Sequence, residues 1–192
     1  MGQPSQILTV PNLISFLRLL GVGLFLWLVL VVEADGWAVV VLAVGGTTDW
    51  VDGFLARRLG QVSRLGELLD PFVDRLYIVA TVIALTIRDV LPLWFTVALL
   101  AREVFMGGCL LLLRRLGYGP PPVHYLGKSA TFLLLIALPM LLLAAVSPGA
   151  AGWAYPCGWS LAWWGLVLYW VAALFYFVQA LGVMRRPRQA PA

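Results

Sequence analysis

The sequence predicts an all-α integral membrane protein, a six-transmembrane-helix bundle with both termini cytoplasmic. Three observations carry that expectation. The chain is 62% hydrophobic and only 11% charged, with a mean hydropathy of +0.94. Six apolar runs are each close to the ~20 residues that cross a bilayer as a helix. Arginines gather at alternating ends of those runs, and basic loops stay on the cytoplasmic side. Lipid offers the backbone no hydrogen-bond partner, so a spanning chain is helical or a closed barrel, and long continuous apolar runs favour helices.

The runs follow one another with short links. Residues 1–12 are polar and end in Pro11-Asn12, which suits a helix start. Run one, Leu13–Val32, carries Arg18 inside it and exceeds the apolar core of a signal peptide, so it reads as a retained helix. Run two, Trp37–Leu59, turns polar at Gly45-Gly46-Thr47-Thr48, where glycines allow close helix approach. Run three is Leu68–Ile87, and run four is Leu91–Leu113 with Arg102-Glu103 deep within it. Run five, Tyr125–Val146, opens with Gly127-Lys128 after the proline-rich loop at Pro120–Pro122. The Gly-, Pro- and Trp-rich stretch Ser147–Ser160 reads as an outer interfacial turn with aromatic anchors, followed by run six, Leu161–Val183. The expected organisation is one membrane domain, residues 1–184, and a basic cytoplasmic tail, residues 185–192.

The net charge of +4 matters through its placement. Arg57, Arg58 and Arg64 follow run two, Arg114 and Arg115 follow run four, and Arg185, Arg186 and Arg188 follow run six. With no soluble domain to carry it, this basic balance does not read as nucleic-acid binding; anionic lipid is the natural partner. Cys109 and Cys157 form neither a metal pattern nor a disulfide framework.

The stretch Asp49–Asp74 stands apart. Of nine Asp and Glu in the chain, five fall within it, and carboxylates inside membrane segments are costly and mark function. Asp49, Asp52 and Ala56 share a face at helical spacing, as do Gly66, Asp70 and Asp74. If the two helices run antiparallel through the Arg57–Arg64 turn, Asp49 levels with Asp74 and Asp52 with Asp70. By helical rise the four lie roughly 6 to 12 Å below the cytoplasmic surface. Four carboxylates that close cannot all stay ionised alone. Two divalent cations would balance them, and all-oxygen donors suit Mg²⁺ or Mn²⁺. Two-metal sites clamp phosphate oxygens. Gly53 and Ala56 would then leave room for a phosphate or nucleotide, and Arg57 would meet a further phosphate oxygen. The same carboxylates could instead line a cation or proton pathway, which leaves Gly53 and Ala56 without a role. A non-catalytic scaffold is the third reading.

The residues Asp49-x₂-Asp52-Gly53-x₂-Ala56-Arg57-x₈-Gly66-x₃-Asp70-x₃-Asp74 occupy every fixed position of the pattern of the CDP-alcohol phosphatidyltransferase family, which this chain resembles from Pro11-Asn12 through Gly127-Lys128. The resemblance implies a reaction in which an alcohol hydroxyl attacks the lipid-side phosphate of a CDP-linked lipid and CMP leaves. It implies Asp49, Asp52, Asp70 and Asp74 as ligands of two Mg²⁺ or Mn²⁺ ions, Asp74 also as general base, and a homodimer. Gly53, Ala56 and Arg57 would contact the CDP moiety, and Gly66 would allow close helix approach.

Within the family the chain looks most like the bacterial branch of cardiolipin synthases and phosphatidylglycerophosphate synthases, which draw on CDP-diacylglycerol. Members that accept glycerol 3-phosphate often carry a second Arg eight residues after the Arg-Glu pair, then Gly-Lys-x-Lys-Thr. Here those positions hold Leu110 and Ala130. Two cations for a phosphate monoester are thus absent, which favours a phosphodiester acceptor, phosphatidylglycerol, over glycerol 3-phosphate. Arg102 and Lys128 remain as candidate acceptor-binding residues, with a structural ion pair between the Arg102-Glu103 segment and Arg75 as the alternative for the former. His124, the single histidine, reads as a loop residue, and the nine tryptophans as interface anchors.

Overall fold

The computed structural model describes the backbone of residues 10–59, 64–116 and 125–185, and the side chains of residues 16–47, 73, 75–116 and 126–182. Every element among them is helical. Helix α1, Val10–Trp27, runs into a π-helical turn at Leu28–Val32. Helices α2 (Asp35–Leu59), α3 (Arg64–Ile87), α4 (Leu93–Arg115), α5 (Tyr125–Val146) and α6 (Pro148–Arg185) follow.

Three short links gather at one end of the bundle. Glu33 closes the π-turn in the left-handed region (φ 56°), its neighbour Ala34 donating to the Leu28 carbonyl at 3.0 Å. Asp89, also left-handed at φ 55°, closes α3, with Val90 N–H on the Leu85 carbonyl at 2.9 Å. Aspartate tolerates that conformation better than most non-glycine residues, and at both links it satisfies carbonyls that the helix end would otherwise strand.

The third link corrects the sequence reading. The stretch Ser147–Ser160, expected as an outer turn, is helical from Pro148 onward, and Ser147 alone joins α5 to α6. Proline fits a first helical turn because its missing N–H would find no partner there. The Ser147 carbonyl accepts from Ala150 and Ala151 at 3.1 and 3.0 Å. Further along, Ser160 Oγ donates to the Pro156 carbonyl at 2.7 Å. Tertiary packing supports this segment: a Cβ at Gly158 would stand 3.0 Å from Leu141 Cγ, so α6 lies directly on α5. The resulting helix has 38 residues, about 57 Å by helical rise.

Helices α5 and α6 are antiparallel, since Leu141 meets Gly158 while Leu134 meets Gly165. Helices α4 and α6 run parallel, Phe95 packing on Trp159 (5.6 Å between ring centroids) and Phe105 on Phe177 (5.6 Å). The core joins Phe25 and Val29 of α1 and its π-turn with Leu42 of α2, Tyr77 and Leu85 of α3, Phe95 of α4 and Leu134 and Leu138 of α5. A smaller cluster of Leu113, Tyr176 and Ala180 seals α4 against α6 near the arginine end.

The outside of the bundle is apolar. Leu20, Trp37 and Val104 are 69%, 69% and 76% exposed, which a water-soluble surface does not sustain as a continuous feature. Among the described residues, the helices over Leu93–Arg115, Leu126–Val146 and Pro148–Gly182 are long and apolar enough to cross a membrane. Shorter apolar stretches occupy Phe16–Val32, Asp35–Thr47 and Arg75–Ile87 of the other three. The protein is an all-helical membrane protein.

Candidate active site

Asp49, Asp52, Gly53, Ala56 and Arg57 fall within α2, and Gly66, Asp70 and Asp74 within α3. Their side chains lie outside the described residues, as does all of His124. What is described is the ground on either side of them.

Toward the core, Tyr77 of α3 donates its hydroxyl to the Leu42 carbonyl of α2. Gly45 lies one turn on: a Cβ there would stand 2.9 Å from Tyr77 Cε2. Glycine is therefore required at Gly45 for the tyrosine ring to lie against α2. On the adjoining side of α2, the space beside Gly46 is bounded by the Leu135 carbonyl of α5 at 3.5 Å.

At the short-link end a charged clasp ties three elements. Arg88 donates to Asp35 Oδ2 at 2.7 Å and stands 3.3 Å from Glu33 Oε1. The arginine that closes α3 thus holds the turn between α1 and α2. It is also the basic residue that the sequence places at the end opposite the arginine clusters, and here two carboxylates meet it.

A second buried polar group crosses α3, α4 and α6. Arg102, 7% exposed, donates from Nη1 to Glu103 Oε1 at 2.7 Å and from Nε to the Tyr169 carbonyl at 3.3 Å. Its guanidinium carbon lies 3.7 Å from the centre of the Tyr169 ring. The Tyr169 hydroxyl bonds Glu103 Oε1, and Arg75 Nε stands 3.6 Å from Glu103 Oε2. A guanidinium taken into an apolar bundle needs its charge and its donors met, and stacking over an aromatic face adds to both. The partners are now explicit: Glu103 and Tyr169 on the inner side, and through Glu103 a link to Arg75, the residue after Asp74. Tyr169 has no sequence signal, because a lone tyrosine in an apolar run reads as packing.

Lys128 is exposed at the start of α5 and makes no hydrogen bond or ion pair among the described residues. Ala130, two residues on, is fully buried, its carbonyl 3.4 Å from where a Cβ at Gly165 would be. That position belongs to the main packed core. Cys109 and Cys157 are free thiols. Among the described residues no three His, Cys, Asp or Glu side chains group as a metal site.

Comparison with known proteins identifies the family. Residues 8–181 match the CDP-alcohol phosphatidyltransferase family. The chain is 50% identical over 188 residues to the cardiolipin synthase (CMP-forming) of Streptomyces coelicolor, covering 95% of this chain and 87% of that one. It is 41% identical over 182 residues to a putative cardiolipin synthase of Mycobacterium tuberculosis, with the same coverage of 95% and 87%. A probable phosphatidylglycerophosphate synthase of the same organism is 30% identical over 151 residues, covering 75% of this chain and 70% of that one. A helical membrane bundle with an aspartate-rich pair of helices, matched to that family across nearly its whole length, belongs to the CDP-alcohol phosphatidyltransferases.

Proposed function

We propose that this enzyme is a cardiolipin synthase, transferring the phosphatidyl group of CDP-diacylglycerol to phosphatidylglycerol with release of CMP. The observation that carries the choice of acceptor is Ala130. Where the glycerol 3-phosphate pattern places a second lysine, this chain has an alanine fully buried in the helical core. A phosphodiester acceptor carries one negative charge and is met by fewer cations than a monoester. The relatives named cardiolipin synthase, similar over 95% of the chain at 50% and 41% identity, support the same choice over the more distant phosphatidylglycerophosphate synthase.

The placement of the reacting groups is supported by register. Tyr77 and its partners Leu42 and Gly45 lie on the stripes that carry the aspartates: Asp49 and Asp52 follow Gly45 by four and seven residues, and Asp74 and Asp70 precede Tyr77 by three and seven. At helical spacing each set continues along one face. Two antiparallel helices in contact at Gly45 and Tyr77 bring Asp49 level with Asp74, and Asp52 with Asp70, one and two turns farther on.

Asp49, Asp52, Asp70 and Asp74 would hold two Mg²⁺ or Mn²⁺ ions, for which a set of carboxylate oxygens is the fitting donor type. When bound, those ions would offset charge on the diphosphate oxygens. Gly53 and Ala56, without bulk, leave the CDP moiety room beside α2; Arg57 meets its phosphate nearer the surface; Gly66 lets α3 approach. Asp74 takes the proton of the acceptor hydroxyl as its oxygen forms the new bond to phosphorus and the bond to the CMP oxygen breaks. Lys128, exposed at the mouth of α5, receives the acceptor phosphate, while Arg102, engaged by Glu103 and Tyr169, braces the site from behind.

The wider reading is of six spans with both termini and the active site cytoplasmic, in a plasma membrane, acting as a homodimer. The membrane domain covers residues 1–184, and the basic tail of residues 185–192 has a composition suited to anionic lipid.

The test is CMP release by purified enzyme with CDP-diacylglycerol and Mg²⁺, phosphatidylglycerol and glycerol 3-phosphate being offered separately. Release with phosphatidylglycerol alone is expected. Release with glycerol 3-phosphate alone would overturn the acceptor while leaving the metal site and fold in place.

A further inference from the structure

Arg18 is 8% exposed in the middle of α1, a helix that otherwise exposes Phe16, Leu17 and Leu20 to the surroundings. Val22, Phe25 and Val29 lie four, seven and eleven residues on, all buried in the main core with Tyr77. Arg18 therefore stands at the head of the stripe that α1 turns toward α2 and α3. A buried guanidinium is tolerated where opposite charge meets it, so its depth is the question.

The Arg88 clasp answers it. Arg88 holds both Glu33 and Asp35, so the ends of α1, α2 and α3 are level there. Counting back fifteen residues from Glu33 along α1 reaches Arg18. Counting fourteen from Asp35 along α2 reaches Asp49, and fourteen back from Arg88 along α3 reaches Asp74. Equal helical rise brings all three to one depth, within about a turn. This is the inner pair of carboxylates, farther from the arginine end than Asp52 and Asp70.

We propose that Arg18 is a substrate-binding residue of the active site, its guanidinium holding the lipid-side phosphate of the CDP-lipid, the phosphorus that is attacked. The inference rests on the site reading above. A CDP-lipid entering from the arginine end lies with its nucleotide shallow and its acyl chains deep, so its two phosphates are at different depths. Arg57 stands by the outer level and meets the nucleotide side. Arg18 stands by the inner level, where the lipid-side phosphate must be if Asp74 is to deliver the acceptor oxygen to it. Charge agrees: two divalent ions balance four carboxylates, and the diphosphate diester brings two negative charges that two guanidiniums offset. A planar fork of donors suits two phosphate oxygens at once, which lysine does not reproduce.

The experiment compares binding of CDP-diacylglycerol and of CMP, which lacks the lipid-side phosphate, by calorimetry in detergent with Mg²⁺, for the wild type, Arg18→Gln and Arg18→Lys. Loss of a charged hydrogen-bonded pair is expected to weaken CDP-diacylglycerol binding by about tenfold to a hundredfold in Arg18→Gln. CMP binding should stay within about twofold, and Arg18→Lys should fall between. Equal weakening of both ligands in either variant would make Arg18 a counter-charge for the aspartates alone and overturn the proposal. Unchanged binding of both would overturn it as well. If Arg18→Gln does not fold, Arg18→Lys decides by the same ratio. Should the wild type bind neither ligand, or should Asp49→Asn and Asp52→Asn bind both normally, the site reading itself fails, a result distinct from failure at Arg18.

Discussion

Asp74 lies in α3 next to two tertiary ties. Three residues above it Tyr77 fastens α3 to α2, and immediately after it Arg75 reaches Glu103 of α4. Both ties fall within three residues on the C-terminal side of Asp74 and fix the backbone of α3 there; if Asp74 is the base of the proposed reaction, that anchoring is what proton transfer at a fixed geometry needs. Asp74→Asn keeps size and most hydrogen bonding but cannot accept the proton. Turnover should fall by about 10²- to 10⁴-fold, the usual worth of a positioned acid or base, with CDP-diacylglycerol affinity changed by no more than a few fold. Initial rates and calorimetry on one preparation check both halves. If affinity collapses together with rate, Asp74 serves chiefly as a metal ligand and the proton goes elsewhere.

Helix by helix, the apolar runs announced themselves and their facing did not. The aspartate stripes were legible because charge is rare here: spacing of three and four residues among five acidic positions is a signal with no competing background. Tyr169 was not, because α6 is apolar around most of its circumference and no period marks its inner side, and Tyr77, although it continues the aspartate stripe of α3, carries no charge to set it apart from packing. The extension of α6 to Pro148 escaped for another reason. Glycine and proline in Ser147–Ser160 are turn formers in water, whereas here Gly158, like Gly165 beyond the stretch, is a contact point that lets α5 and α6 close. Small residues at such crossings replace the hydrophobic drive that lipid removes. Gly165→Val should therefore be harmful in a way composition would not suggest. Its Cβ would meet Leu134 Cγ at 2.9 Å and the Ala130 carbonyl at 3.4 Å, and overpacking of this kind typically costs about 1–3 kcal/mol. Gly182→Val is the control, since a Cβ there meets nothing within 4 Å. Thermal unfolding in detergent should show Gly165→Val several degrees lower and Gly182→Val near the parent; equal shifts would locate the effect in helix propensity rather than in the crossing.

At the scale of the whole molecule, the bundle has two unlike ends. Short links, the Arg88 clasp and the aromatic group of Trp94, Phe95, Trp159 and Trp163 mark one. Arg114 and Arg115 of α4 mark the other, together with the end of α6 at Arg185. Tyr155 and Trp159 line a cleft with Asp89, Leu91 and Pro92 of the α3–α4 link, so the first turns of α6 reach past that link by about 10 Å. About a third of the excess of a 38-residue helix over a bilayer core of about 30 Å is taken up in this overhang. Cys157 sits at its base, exposed and free. If positive charge sets orientation, the aromatic end faces outward and Cys157 with it. In a Cys109→Ser background, a membrane-impermeant maleimide added to intact cells should label Cys157. A cysteine placed by Arg188→Cys, in a Cys157→Ser chain, should be labelled only after the membrane is opened. The reverse pattern would turn the enzyme over and put its aspartates on the side that lacks nucleotide. Labelling of both sites from outside would mean that α6 does not cross at all, which its apolar length and its parallel packing on α4 argue against.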